Sequence, residues 1–149
     1  MRPVRNILRS LLCIAVLGAA AAWAEAGKPN PQSVVDNVVF ELSSTPDGLT
    51  ACLSTLRGAK LSGPYGVAVT ALSAPAAWDE ALPKTVAVED DYFTLPLRVD
   101  LKRRYGVTEL GRVQFEVGAC QPEGMCIPVE LAVDTATVAP ASHTIPCSG

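Results

Sequence analysis

The segment Gly118-Ala119-Cys120-Gln121-Pro122-Glu123-Gly124-Met125-Cys126-Ile127-Pro128 constrains the fold most, because it makes the chain reverse between two stretches that read as β-strands. Before it, Val113, Phe115 and Val117 alternate with Gln114 and Glu116. After it, Val129, Leu131 and Val133 alternate with Glu130, Ala132 and Asp134. A period of two marks strands with one buried face. Gln121, Pro122, Glu123 and Gly124 favour a tight, exposed turn and carry no helical period. Cys120 and Cys126 stand across that turn. A disulfide between them would close a seven-residue loop. By chain entropy such a loop is worth about 2.4 kcal/mol, against about 4.7 for a loop near a hundred residues. As a staple it is placed inefficiently, whereas an accessible turn suits a bond that opens and closes. Two readings stay open: a dithiol/disulfide centre, or a hairpin staple.

The rest of the chain repeats the same rhythm of short apolar runs and turns. Val34 to Leu42 reads as one strand interrupted by Asp36-Asn37, and Ser43 to Gly48 is a turn carried by Pro-Asp-Gly. Leu49 to Leu56 and Val67 to Leu72 read as strands, with a Gly/Pro-punctuated loop from Gly58 to Gly66 between them. Thr85 to Val88 is a brief strand. Phe93, Leu95, Leu97, Val99 and Leu101 share one face of a longer one, in which Pro96 argues for an edge or a bulge. Lys102 to Gly106 reads as the loop beyond it. About seven short antiparallel strands with almost no helical period predict an all-β sandwich.

The two ends are set apart. Arg2, Arg5 and Arg9 precede an apolar run from Leu11 to Ala22, and Ala22-Trp23-Ala24 fits a cleavage site. Residues 1–24 therefore read as a bacterial signal peptide that is removed, which places the protein in the periplasm. The run is short for a membrane span, and Leu12 before Cys13 does not suit a lipoprotein signal, so no membrane anchor is expected. Residues 25–33 read as a loose leader, 34–134 as the sandwich, and 135–149 as an Ala/Pro/Ser-rich tail. Losing the signal takes the basic residues from 12 to 9 and the net charge from −3 to −6. That balance gives nucleic acid or an anionic membrane surface nothing to bind. Cys52, Cys120, Cys126 and Cys147 remain in an oxidising compartment, with three possible connectivities. Cys120–Cys126 is favoured because the two are neighbours in sequence. Cys52–Cys147 then follows as a structural bridge that ties down the tail.

From residue 78 to 133 the chain resembles the N-terminal periplasmic domain of the thiol:disulfide interchange protein DsbD. The likeness is carried by Thr94-Leu95-Pro96, Gly118, Cys120, Gly124, Cys126 and Pro128, and by Trp78-Asp79-Glu80. It implies an immunoglobulin-like sandwich whose cysteine pair cycles between dithiol and disulfide, with Cys126 attacking and Cys120 resolving. It also implies a thiol–disulfide oxidoreductase that acts only with partner proteins and needs no cofactor or metal. Those partners would be periplasmic thioredoxin-fold proteins and a separate membrane electron donor, with the module itself a monomer. The family's cap loop corresponds to Ala81-Leu82-Pro83-Lys84, which lacks the family's Phe, and Cys52 and Cys147 are additions. Trp78, Leu82 and Met125 are the residues expected at the cap loop and docking surface, and Tyr65 is the one candidate for the tyrosines the family places near its site.

No helix N-terminus or cation is evident beside the pair to favour a thiolate. Exchange is therefore expected to be slow with small thiols and to depend on a docked partner. The alternative is a disulfide-stapled envelope module that binds or assembles without a redox cycle. Cu(I) binding by Met125, Cys120 and Cys126 is a weaker reading, because two thiolates and a thioether make an incomplete soft site. His143, the sole histidine, leaves no catalytic set to build. Glu89-Asp90-Asp91 lacks calcium-loop spacing.

Overall fold

The computed structural model describes residues 32–35, 37–140 and 147. Residues 1–31, with Cys13 and the segments expected to be a signal peptide and a loose leader, lie outside the described residues, as does His143. The described residues form nine strands: β1 (Gln32–Val35), β2 (Val38–Thr45), β3 (Gly48–Thr55), β4 (Lys60–Leu61), β5 (Val67–Ala71), β6 (Lys84–Val86), β7 (Leu97–Lys102), β8 (Arg112–Cys120) and β9 (Cys126–Asp134). They form two antiparallel sheets. One runs β1-β2-β3-β7. In the other, β9 pairs β8, β8 pairs both β4 and β5, and β5 pairs β6. Apart from two three-residue 3-10 turns, Pro75–Ala77 and Thr135–Thr137, the described residues hold no helix. Among them no helix is long and apolar enough to cross a membrane.

Alternation explains how the sheets meet. Phe40, Leu42, Leu49, Ala51, Leu53, Val99 and Leu101 of the first sheet share one core with Val67, Val69, Val113, Phe115, Val117 and Val129 of the second. The rings of Phe40 and Phe115 lie 6.0 Å apart between centroids and tilted, which joins the sheets at the middle of that core. The all-β sandwich expected from the period of two is what the chain forms.

Some strands differ from the sequence reading, for identifiable reasons. Val34 to Leu42 is two strands: Val35 pairs with Val38, so the chain reverses between them. The polar Asp36-Asn37 that interrupted the run is a two-residue hairpin signal. β1 consequently starts at Gln32, within the segment expected to be a loose leader. The Tyr92–Leu101 run forms a continuous strand only from Leu97 onward, with Tyr92 in an isolated bridge to Ser62, yet Phe93, Val99 and Leu101 are all buried, so the apolar face was read correctly. β7 is the outer strand of its sheet, which suits Pro96 at its entrance.

The tail is anchored in two places. Val138 is buried, and Ser44 N–H donates to the Ala139 carbonyl at 3.1 Å, on β2 beyond the last residue paired with β1. Cys147 is bonded to Cys52 of β3. Next to Cys52, Thr50 is also buried on the outer face, and its hydroxyl donates to Asp100 Oδ1 of β7 at 2.7 Å. Burial by itself would raise the Asp100 carboxyl. Hydrogen bonds from Arg98 and Thr50, together with the charges of Arg98 and Lys84, outweigh it and hold the group below the usual carboxylate range.

Two outcomes follow. Phe115→Ala should cost about 3–5 kcal/mol, because it opens a cavity between the sheets; a denaturant midpoint equal to the wild type would contradict the shared core. A carboxyl depressed in the folded state contributes stability that is present above its unfolded value and lost as pH falls through the folded value. Asp100→Asn should therefore flatten the loss of stability below about pH 4. Thermal unfolding from neutral to acid pH checks this, and parallel curves for the two proteins would overturn it.

Candidate functional site

β8 and β9 pair along their whole length, from Arg112 opposite Asp134 to Cys120 opposite Cys126. The period of two sends Val113, Phe115, Val117 and Ala119 into the core, which leaves Glu116, Gly118 and Cys120 on the outer face. Cys126 lies on the same face as Cys120, and the two are disulfide-bonded with Cα atoms 3.8 Å apart. The turn continues the ladder one step beyond them. Gln121 N–H donates to the Met125 carbonyl at 2.7 Å, and Gly124 N–H to the Gln121 carbonyl at 2.9 Å. Gly124 has φ +94°, which few residues other than glycine adopt without strain.

Ladder hydrogen bonds on both sides hold the disulfide-bonded cysteines face to face. A further tie comes from the turn that joins β1 and β2: Asn37 Nδ2 donates to Gln121 Oε1 at 3.1 Å. The two sulfurs are not equivalent, since Cys120 is 1 % exposed and Cys126 is exposed. An incoming thiolate meets Cys126 first.

The neighbourhood comes from the opposite edge of β8. Lys60-Leu61 of β4 pairs with Cys120-Ala119, and β5 pairs with Val117 to Val113, so Ser62 to Gly66 loops out beside Gly118. Ser62 N–H donates to the Gly118 carbonyl at 2.8 Å, and the Tyr65 ring folds over Gly118. A Cβ on Gly118 would stand 2.7 Å from that ring, so only glycine leaves the space. The Tyr65 hydroxyl donates to the Glu116 carboxylate. That bond, then partial desolvation and the charges of Glu116 and Glu130, push the phenol above its ordinary range. Tyr65 therefore stays protonated, two residues along β8 from the cysteine pair.

The expected site residues divide. Cys120 and Cys126 are brought together, Cys52 and Cys147 form the second bridge, and Met125 is exposed beside Cys126. Trp78 is different: it is 1 % exposed, packs in the core and bridges to Arg103, at the end of the sandwich away from the cysteines. Leu82 is partly buried against the same core, and the neighbouring Lys84 is paired with Glu80. Neither belongs to a cap over the pair, because Ala81 to Lys84 enters β6 from the far end of β5. The segment that flanks the cysteine side is Glu89 to Phe93. Phe93 N–H donates to the Leu61 carbonyl at 3.0 Å, Gly63 N–H to the Asp91 carbonyl at 2.9 Å, and Lys60 Nζ lies 4.6 Å from the Tyr92 ring centroid. The available signal was Gly118, a side-chain-free position inside an alternating strand, which marks a close approach by another group.

Among the described residues, no group of three or more His, Cys, Asp or Glu side chains is arranged to hold a metal ion. After reduction, Cys126 should be alkylated well before Cys120 under native conditions, with the order read by mass spectrometry of the peptides. Equal labelling rates would show that the burial difference does not survive reduction. No family model, curated protein or solved structure matches the chain, and its functional reading rests on the geometry of this cysteine hairpin.

Proposed function

We propose that the protein is a thiol–disulfide exchange module that relays reducing equivalents through the Cys120/Cys126 pair. The observation that carries this reading is a disulfide between directly opposed strand residues, one sulfur presented outward and the other buried, in a hairpin held by backbone bonds on both sides. A bridge that closes so small a loop constrains the unfolded chain only about half as much as one spanning a hundred residues. It does keep two sulfurs within bonding reach through both halves of a redox cycle.

In the reducing half-reaction a partner thiolate attacks Cys126 Sγ. The Cys120–Cys126 bond breaks, Cys120 takes up a proton, and a mixed disulfide joins Cys126 to the partner. The partner's second thiol then attacks its own sulfur in that bond and releases Cys126, which is protonated in turn. Two electrons and two protons pass to this module while the partner dithiol becomes a disulfide. Delivery to a client runs the same steps backwards, with Cys126 attacking and Cys120 resolving.

The resemblance over residues 78–133 supports thioredoxin-fold proteins as the partners and a separate membrane protein as the electron source. It also supports an immunoglobulin-like arrangement of the sandwich. The signal-like residues 1–24 support a periplasmic setting, and two disulfides accord with an oxidising compartment.

The reduction potential of each bridge is the test, read by differential thiol labelling in defined glutathione buffers. Structural bridges in secreted proteins lie below about −300 mV and labile ones higher. Cys120–Cys126 is expected to open in the labile range while Cys52–Cys147 stays closed. If both open together, and only when the protein unfolds, the pair is a staple and the relay reading fails.

A further inference from the structure

Seven large apolar side chains are exposed among the described residues, and five of them gather at the cysteine end: Leu56, Tyr65, Val88, Tyr92 and Met125. The backbone contacts place them there. Leu56 N–H donates to the Asn37 carbonyl, Asn37 holds Gln121, Val88 N–H donates to the Gly63 carbonyl, and Tyr65 covers Gly118. Exposed apolar residues scattered singly need no explanation, but a cluster around one site does.

The charges are also sorted. Glu89, Asp90, Asp91 and Glu123 are exposed at this end, and Glu130 lies on the adjoining sheet face. Against them, among the described residues, stand Arg57 and Lys60, the latter lying over the Tyr92 ring. At the opposite end of the sandwich Lys102, Arg103, Arg104 and Arg112 are balanced by Asp47, Asp79, Glu109 and Asp134, so the acidic excess lies at the cysteine end.

We infer that the cysteine end is a docking face, apolar at its centre and acidic at its rim, for a thiol-bearing protein whose reactive cysteine lies in an apolar surface rimmed by Lys and Arg. The inference rests on the exchange reading above and names the partner's surface chemistry. An apolar centre gives the complex its affinity once water is expelled. The acidic rim, facing a far end whose charges balance, orients the encounter so that Cys126 arrives first. Steering raises the share of correctly oriented encounters, and only those lead to exchange.

The probes are two dithiol peptides, each with a Cys-x-x-Cys pair beside leucines, one flanked by lysines and the other by glutamates. At low salt the lysine peptide should open Cys120–Cys126 about tenfold faster than the glutamate peptide. The difference should collapse near 0.5 M salt, where screening is nearly complete. The variant Asp90→Lys/Asp91→Lys/Glu123→Lys should reverse the order. The neutral variant Asp90→Asn/Asp91→Asn/Glu123→Gln should abolish it, and serves if the reversed protein folds poorly. Equal rates for the two peptides at low salt would overturn the inference. If neither peptide opens the pair, the exchange reading fails, and the face is judged separately. A serine counterpart of the lysine peptide, added to the oxidised protein, should then shift the NMR signals of Tyr65, Tyr92 and Met125 in a salt-dependent way. No shift at those residues would overturn the docking face as well.

Discussion

The register between β8 and β9 is the constraint on which the rest depends. Because the side-chain period is two, a slip of one residue would turn Phe115 and Val117 outward and carry Glu116 into the core. Phe115 meets Phe40 across the sandwich, so such a slip would cost the contact between the sheets as well as the burial of a strand. The core therefore decides that Gly118 and Cys120 face outward, and the pairing then decides that Cys126 stands opposite Cys120. The site is a consequence of the packing beneath it.

That logic explains what could be read from residues alone. The alternation in β8 and β9 is strict, and the turn between them is written in Gln121 to Gly124, so the hairpin and its cysteine pair were legible in full. Pro96 likewise pointed to an edge strand, because a residue without an N–H cannot serve the middle of a ladder. The Asp36-Asn37 hairpin was legible but misjudged: two short apolar runs looked like one. Trp78 and Leu82 were beyond reach for a different reason. Whether a large apolar residue caps a site or fills the core depends on which end of the sandwich its segment crosses. That is set by the β5–β6 register and the Trp78–Arg103 bridge, both long-range facts. Tyr65 over Gly118 is also long-range, joining a loop to a strand more than fifty residues away.

On the exchange reading proposed above, the two disulfides divide stability and chemistry between them. Cys52 and Cys147 are 95 residues apart, and a bridge of that span restricts the unfolded chain by about 4.7 kcal/mol on the chain-entropy relation. Cys120–Cys126 restricts it by about half as much. The long bridge can therefore hold the fold while the short one opens, and the tail remains attached through either redox state. A fold with only a modest number of aromatics in its core gains from keeping its larger constraint out of the redox cycle.

The unequal burial of the short pair also selects the kind of reaction it supports. A monothiol that attacks Cys126 must expel the Cys120 sulfur into a site nearly closed to water, where a charge is poorly solvated. The expelled sulfur stays within reach of Cys126 because the ladder does not relax, so its most frequent fate is to attack back and restore the disulfide. A partner with two thiols escapes that reversal. Its second sulfur attacks within the complex at a high effective concentration and competes with Cys120 directly. Burial of one cysteine and a rigid hairpin together disfavour glutathione-like reagents and favour dithiol proteins that remain docked through both steps.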